Sequence, residues 1–337
     1  MTEADEFKAR LRRDGWLHHP DACLTPLRGG VSSEIYLVVD GAERFVVKRA
    51  LPRLRVRDDW QADPQRNVTE WKYLECVGRI LPGAVPQLRF ANPEGGYFGM
   101  EYLGEAFANW KQLLLRGVCE PDHARMAGRL LGTIHRATVA RPDLLTRFET
   151  RVNFQQLRIA PYLLTTGARH RDLQRLYAAE AERLLATREC LVHGDFSPKN
   201  MLIQGGRLVL LDCEVAWYGA AAFDVAFLLT HLCLKALHHA PGDLGIAGML
   251  QGFWQAYHDE RPRLTPEFEP AVVRLLALLL LARVDGKSPV EYLDSTRKAF
   301  IRNFVPSALT ASIQRLDELS GLWFDQAKAL APAAART

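Results

Sequence analysis

The sequence predicts an α+β protein in two parts, a small β-rich first lobe over residues 1–103 and a larger helical second lobe over residues 104–337. Three observations carry this. β-branched and aromatic runs separated by turn residues fill the first hundred positions. After Gly104 the chain changes to long helical patterns. Within the helical half, two short strands at 201–204 and 207–211 close about Gly205-Gly206 as one hairpin. A length of 337 residues also exceeds what one compact core usually holds.

In chain order, the runs at 35–39 and 45–49 flank Asp40-Gly41, a hairpin signal. A helix is expected from Pro64, because Asp63 can cap it and proline suits the first helical position. On that helix Glu70, Leu74 and Val77 share a face by their spacing of four and three. Strands follow at 87–92 and 97–103 around the turn Pro93-Glu94-Gly95-Gly96, and 101–104 reads as a hinge. Beyond it, helices are expected at 121–139, at 172–186 and in a run from Ala222 onward, with residues 329–337 frayed.

Composition narrows the class. With 48% hydrophobic and 24% charged residues the chain reads as a soluble globular protein. The net charge of +4 is mild, and the basic clusters at 49–57 and 169–175 read as solvated faces rather than a nucleic-acid footprint. Six scattered cysteines with no C-x-x-C pair suit reduced thiols in a cytoplasm. Residues 2–14 lack the apolar core of a secretory signal. The longest apolar run, 275–282 between Arg274 and Arg283, is far short of the ~20 residues of a membrane span. A cytoplasmic protein without a nucleic-acid or membrane partner is expected, its oligomeric state open.

The strongest chemical signal is His193-Gly194-Asp195-Phe196-Ser197-Pro198-Lys199-Asn200, followed by the hairpin and then Leu211-Asp212-Cys213-Glu214. Phosphoryl transfer asks little covalent chemistry of a protein. It needs a carboxylate beside the attacking hydroxyl and oxygen ligands that hold magnesium on the nucleotide phosphates. A D-x-x-x-x-N loop supplies one base, Asp195, and one neutral metal ligand, Asn200, while the hairpin returns a second carboxylate, Asp212, to the same metal. The plain alternative is a helix cap at Asp195 and a turn at Asn200; the joint pattern is too specific for that. For His193 a backbone hydrogen bond that holds the loop is preferred to an acid–base role.

The first lobe offers the other parts. Gly29, Gly30, Ser32 and Ser33 precede a strand, where small residues and exposed N–H groups approach phosphates. Lys48, at the end of a strand, suits the α- and β-phosphates, and Glu70 on the inward helix face can orient it. Glu75, the competitor, points to another face.

Together these segments resemble the aminoglycoside phosphotransferase/choline kinase superfamily, small-molecule relatives of protein kinases. The match runs in order through Gly29–Ser33, Lys48, Glu70, the hinge at 100–103, His193–Asn200 and Asp212–Glu214. The resemblance implies a bilobal protein-kinase-like fold with ATP and magnesium as cofactors, Glu101 and Leu103 of the hinge beside the nucleotide, and substrate held by the helical lobe. Carried over by position, Asp195 is the base, Asn200 and Asp212 hold magnesium, and Lys48 contacts phosphates. Asp212-Cys213-Glu214 is similar to the D-x-E pattern of methylthioribose and choline kinases, where aminoglycoside enzymes usually show Asp-x-Gly. Glu214 is then a candidate for a second magnesium. Asp224 is expected to receive hydrogen bonds from the catalytic-loop backbone.

Twelve positions separate Asp212 from Asp224, too few for the activation loop and A-P-E element of a protein kinase. Position 197, a lysine in serine/threonine kinases, is serine. A small-molecule hydroxyl, sugar-like or of an amino alcohol, is therefore the expected acceptor, with Trp217, Tyr218, Arg283 and Asp285 as candidate contacts. For Arg283 a salt bridge closing its helix end is the competing reading. The alternatives are an aminoglycoside-type antibiotic phosphotransferase, a nucleotide-binding pseudokinase, and a phosphate-ester hydrolase, which would need neither Lys48 nor Glu70.

Overall fold

The computed structural model describes residues 3–27, 33–50 and 66–331, and the chain divides into two compact units, Met1–Ala106 and Phe107–Thr337. The first unit holds helix α1 (Glu3–Arg13), strands β1 (Cys23–Pro26), β2 (Ser33–Asp40) and β3 (Glu43–Ala50), helix α2 (Arg66–Ile80), and strands β4 (Leu88–Asn92) and β5 (Tyr97–Glu101). The strands form one antiparallel sheet in the order β1-β2-β3-β5-β4. Helix α1 and edge strand β1 were not expected from the pattern. Phe7 and Leu11, one turn apart, carry α1 into a core with Tyr36, Val38, Phe45, Val47 and Tyr97. Phe7 meets the Tyr97 ring edge-on at 5.4 Å.

The β2–β3 hairpin turns at Gly41, whose φ of +62° is the left-handed conformation such tight turns need. Its register sets Lys48 opposite Ile35 on one side and Phe98 of β5 on the other. Helix α2 buries Glu70, Leu74 and Val77 on one face, as their spacing predicts. The expected cap, Asp63 with Pro64, lies outside the described residues.

The second unit is mainly helical. It contains β6 (Ala108–Asn109), α3 (Trp110–Leu115), α4 (Pro121–Thr138), α5 (Pro142–Arg147), α6 (Arg151–Phe154), α7 (Thr165–Arg169) and α8 (Gln174–Ala186). Then come β7 (Cys190–Val192), β8 (Met201–Gln204), β9 (Arg207–Leu210), β10 (Trp217–Gly219), and helices α9 (Ala221–His239), α10 (Ile246–Glu260), α11 (Phe268–Asp285), α12 (Ser295–Thr310) and α13 (Leu316–Ala327). Strands β8 and β9 form the expected hairpin, extended by β6, while β7 pairs with β10.

Between α6 and α7 the chain continues through a wide-turned π-helical segment, Gln155–Leu164, with Pro161 inside. Proline in a sequence reads as a helix break because it lacks the N–H and crowds the preceding turn, so this region carried no prediction. The wider π-turn accommodates it, and such segments recur at functional sites.

Helices α4 and α10 approach one another backbone to backbone at Gly128. A Cβ at Gly128 would lie 2.5 Å from the Phe253 carbonyl oxygen, so only glycine permits this approach. Helix α9 is long and apolar enough by composition to cross a membrane, but 94% of its apolar window is buried inside the unit, as befits a core helix. The apolar run 275–282 is likewise buried within α11. All six cysteines are free thiols.

Candidate active site

In the first unit, Lys48 and Glu70 form a buried ion pair. Lys48 Nζ donates to Glu70 Oε1 at 2.9 Å and lies 2.7 Å from Oε2, with both side chains no more than 3% exposed. Asn67, one turn earlier on α2, donates to the Gly96 carbonyl at 2.7 Å and pins the helix to the sheet. Glu75 lies on the outer side and pairs with Arg79. Ser33 opens β2, buried; Gly29, Gly30 and Ser32 lie outside the described residues. Glu101 ends β5, where its backbone N–H donates to the Gln87 carbonyl and its carboxylate accepts from Gln87 N. Leu103 follows, half-buried, one residue before Gly104.

In the second unit, β7 delivers residues 193–200 as a buried loop. Gly194 sits at φ +75°, and a Cβ there would approach the Val215 carbonyl oxygen to 2.6 Å. Asp224, in the first turn of α9, accepts from His193 N at 2.6 Å and Gly194 N at 2.9 Å. Behind Asp224, His135 bridges to the Tyr257 hydroxyl at 3.0 Å, which Arg261 donates to at 3.1 Å. The loop is thus fastened to α9, α4 and α10 through buried polar groups that satisfy one another. The His193 ring accepts from Asp195 N at Nδ1 and donates from Nε2 to the Leu211 carbonyl. Both bonds specify the neutral tautomer, and burial holds the imidazole below its usual pKa. Gly194→Ala is expected to lower unfolding free energy by roughly 2 kcal/mol or more, since it adds left-handed strain to a backbone clash. Denaturant titration checks this.

Asn200 ends a 3-10 turn, its backbone clamped at both groups: its N–H donates to Ser197 and its carbonyl accepts from Leu211. Its side-chain nitrogen donates to the Asp195 carbonyl at 3.0 Å, which leaves Oδ1 as the atom that can serve a cation. Asp195 is 3% exposed. Its Oδ2 meets Arg158 Nη2 and Lys199 Nζ, each at 2.9 Å. Burial pushes its pKa up, but the two cations outweigh this and hold the carboxylate below its usual range.

Neither cation was expected. Lys199 lies two residues beyond Ser197 and reaches the same carboxylate from within the loop. Arg158 comes from the π-helical segment; its guanidinium also donates to the carbonyls of Gly194 and Leu157 and lies over the Tyr162 and Phe227 rings. The one sequence signal for it was an arginine and a tyrosine four apart within an otherwise apolar stretch, 157–164.

Asp212 follows β9 at φ +60°, a conformation costly for a non-glycine residue. Its carboxylate and that of Glu214 come within 4.8 Å of each other. With the Asn200 amide oxygen, these hard oxygen donors suit a magnesium ion.

The four candidate substrate contacts are placed differently from one another. Trp217 is buried, stacked on Phe154 at 4.5 Å with Arg188 over its face. The Tyr218 hydroxyl donates to the Thr138 carbonyl and accepts from Arg141 N, so its polar end is used inside the fold. The Asp285 carboxylate pairs with Arg302 at 2.7 Å and His170 at 2.9 Å. Arg283 has no acidic partner among the described residues: it donates to the Tyr162 hydroxyl at 3.1 Å and to the Ser288 Oγ and carbonyl, closing the end of α11 without a salt bridge.

The family model described as the phosphotransferase enzyme family matches residues 24–267. A methylthioribose kinase of Citrobacter koseri is 26% identical over 232 residues, 61% of this chain and 58% of that protein. The chain thus spans about three fifths of that curated relative. Among solved structures, a microcompartment-associated aminopropanol kinase aligns over 93% of this chain and 99% of its own, at 16% identity and a TM-score of 0.54. A choline kinase from Cryptosporidium parvum aligns over 96% and 100%, at 13% identity and the same TM-score. These two likenesses show a shared fold.

Proposed function

The chain belongs to the phosphotransferase enzyme family, and from that premise we propose that it transfers the γ-phosphate of ATP, with magnesium, to a hydroxyl of a small molecule in the cytoplasm. The observation that carries this reading is the catalytic loop. Asp195, Asn200 and Asp212 are held about one hairpin by Asp224, the His193 ring and paired backbone groups.

In this reading the acceptor hydroxyl donates to Asp195 Oδ1, since both cations occupy Oδ2. Its oxygen bonds to the γ-phosphorus as the bond to the bridging oxygen of ADP breaks, and Asp195 takes the proton. A carboxylate of lowered pKa is a weak base, which suits a loose transition state where orientation outweighs proton removal. Asn200, Asp212 and Glu214 would hold magnesium, which would supply charge neutralisation on the phosphates when bound. Lys48, oriented by Glu70, contacts the phosphates, with Ser33 and residues 29–32 beside them and Glu101 and Leu103 beside the base. The acceptor is a sugar-like or amino-alcohol metabolite, in keeping with the D-x-E pattern and the methylthioribose kinase relative.

Two experiments test this. Melting of the full chain with ATP is expected to rise only when magnesium is present, and ADP release is expected with at least one member of a panel of sugars, amino alcohols, nucleosides and aminoglycosides. Nucleotide binding without any ADP release would favour a pseudokinase, and turnover of aminoglycosides alone would favour an antibiotic phosphotransferase. Magnesium-dependent release of phosphate from phosphate esters, with no ATP binding, would favour a hydrolase.

A further inference from the structure

In the second unit, cations from three helices gather, and among the described residues only Lys111 of them pairs with an acid. Lys235, one turn before the end of α9, is 1% exposed. Its ammonium donates to the Tyr292 hydroxyl at 2.7 Å and lies 3.9 Å from that ring's centroid. One turn earlier, His231 is 94% buried, and its Nε2 has no hydrogen-bond partner among the described residues. Arg283 of α11 and Lys111 of α3 flank them, both partly exposed. Among the described residues the one acid facing this group, Glu291, is held by Lys111. Among the described residues no carboxylate pairs with Lys235, His231 or Arg283, and Arg283 Nε also lacks a partner. A buried ammonium without a counter-charge costs several kcal/mol by desolvation. Fold stability gives no reason for such an arrangement.

The cluster adjoins the catalytic carboxylate. Arg283 donates to the Tyr162 hydroxyl, and the Phe227 ring lies 5.2 Å from that of His231. Tyr162 and Phe227 are also the two rings over which Arg158 sits while it holds Asp195. One layer of aromatic rings therefore separates the cation cluster from the base.

Resting on the phosphotransferase reading, we infer that Lys235, Arg283 and His231 receive an anionic oxyacid group, carboxylate or phosphate, carried by the acceptor whose hydroxyl is phosphorylated. Three further observations agree. Burial first, then Arg283 and Lys235, hold the His231 imidazole neutral, and burial with Lys111 and Arg283 depresses Lys235. A bound anion reverses both effects. The acid that could receive a quaternary or primary ammonium, Asp285, is engaged by Arg302 and His170, and the Tyr218 hydroxyl is used within the fold. Arg283 and Lys111, the partly exposed members, give the buried pair a side from which an anion can approach.

The test compares acceptors that differ only in the anionic group: glycerol against glycerate and glycerol 3-phosphate, ethanolamine against serine, and ribose against ribose 5-phosphate. An anionic member is expected to have a kcat/KM about tenfold or more above its neutral or cationic partner, the worth of one charge-assisted contact. The carboxylate and phosphate arms identify which oxyacid is used. Lys235→Met, close in volume, and Arg283→Gln are each expected to reduce the ratio to near one. A preference for the uncharged or cationic members, or a ratio unchanged in both variants, overturns the inference.

A second readout does not depend on turnover. The anionic members are expected to raise the melting temperature of the full chain, and of Asp195→Asn, with the shift lost in Lys235→Met. If ADP is never released but this shift is seen, the phosphotransferase reading fails and the anion site stands. If ADP is released from uncharged acceptors and no anion shifts melting, the anion site fails alone.

Discussion

Asp195→Asn is expected to lower kcat by about 10²–10⁴-fold, the range for loss of a positioned general base, in a chain that still binds ATP and magnesium. The substitution also has a structural consequence that the sequence did not announce. Arg158 is buried and its guanidinium spends one face on the Asp195 carboxylate, so neutralising position 195 leaves a buried charge short of its partner. Melting should fall for that reason, while Lys199, exposed, turns to solvent. Kinetics are therefore to be measured well below the variant's melting temperature. Turnover above about a tenth of the parent, ~1.4 kcal/mol in barrier, contradicts the assignment.

The pH dependence follows from the same pair. The folded pKa of Asp195 lies below its unfolded value. Its ion pairs thus contribute stability that is complete above the unfolded carboxylate range and lost as pH falls through the folded value. At neutral pH the carboxylate is already ionised. Any acid limb in turnover above about pH 5 must then belong to another group.

The second large effect concerns magnesium. Asp212→Ala is expected to raise the magnesium concentration for half-maximal activity by about tenfold or more, because loss of even an outer-shell partner commonly costs that much. Asn200→Ala should act in the same direction but less severely, since it removes no charge, and Glu214→Ala should fall between the parent and Asp212→Ala. Asp212 sits at φ +60°, a conformation asparagine tolerates better than alanine. Asp212→Asn therefore separates charge from backbone: it should share the magnesium defect while melting near the parent. Magnesium titrations of all four variants that overlay the parent would place the metal elsewhere.

What could be read from the chain was what lies close together along it. The hairpin of β8 and β9, the loop from His193 to Asn200 and the acid after the hairpin are contiguous, and each position is dictated by turn chemistry or strand period. Lys48 and Glu70 are 22 residues apart, yet their pairing follows from a strand end and one inward helix face. Arg158 could not be found that way. It reaches Asp195 from a helix whose turn is widened around Pro161, and in a sequence that proline argues against any helix. Helix α1 was hidden because only Phe7 and Leu11 mark its buried face among charged neighbours. Tyr218 and Asp285 are candidate substrate contacts in the sequence because aromatics and acids are versatile. Their hydrogen bonds to Thr138, Arg302 and His170 are tertiary and leave no local trace. That no carboxylate among the described residues pairs with Lys235 or Arg283 was invisible for a related reason: pairing is a property of the packed molecule.

The most direct test of the central claim follows the γ-phosphate. The protein is incubated with γ-labelled ATP, with and without magnesium, together with a mixed protein set and the panel of small hydroxyl compounds. Label is expected in a small molecule, only with magnesium, and at least a hundredfold less with Asp195→Asn, the lower end of a general base's contribution. Label in protein but in none of the small molecules, or label released only as inorganic phosphate, would contradict it.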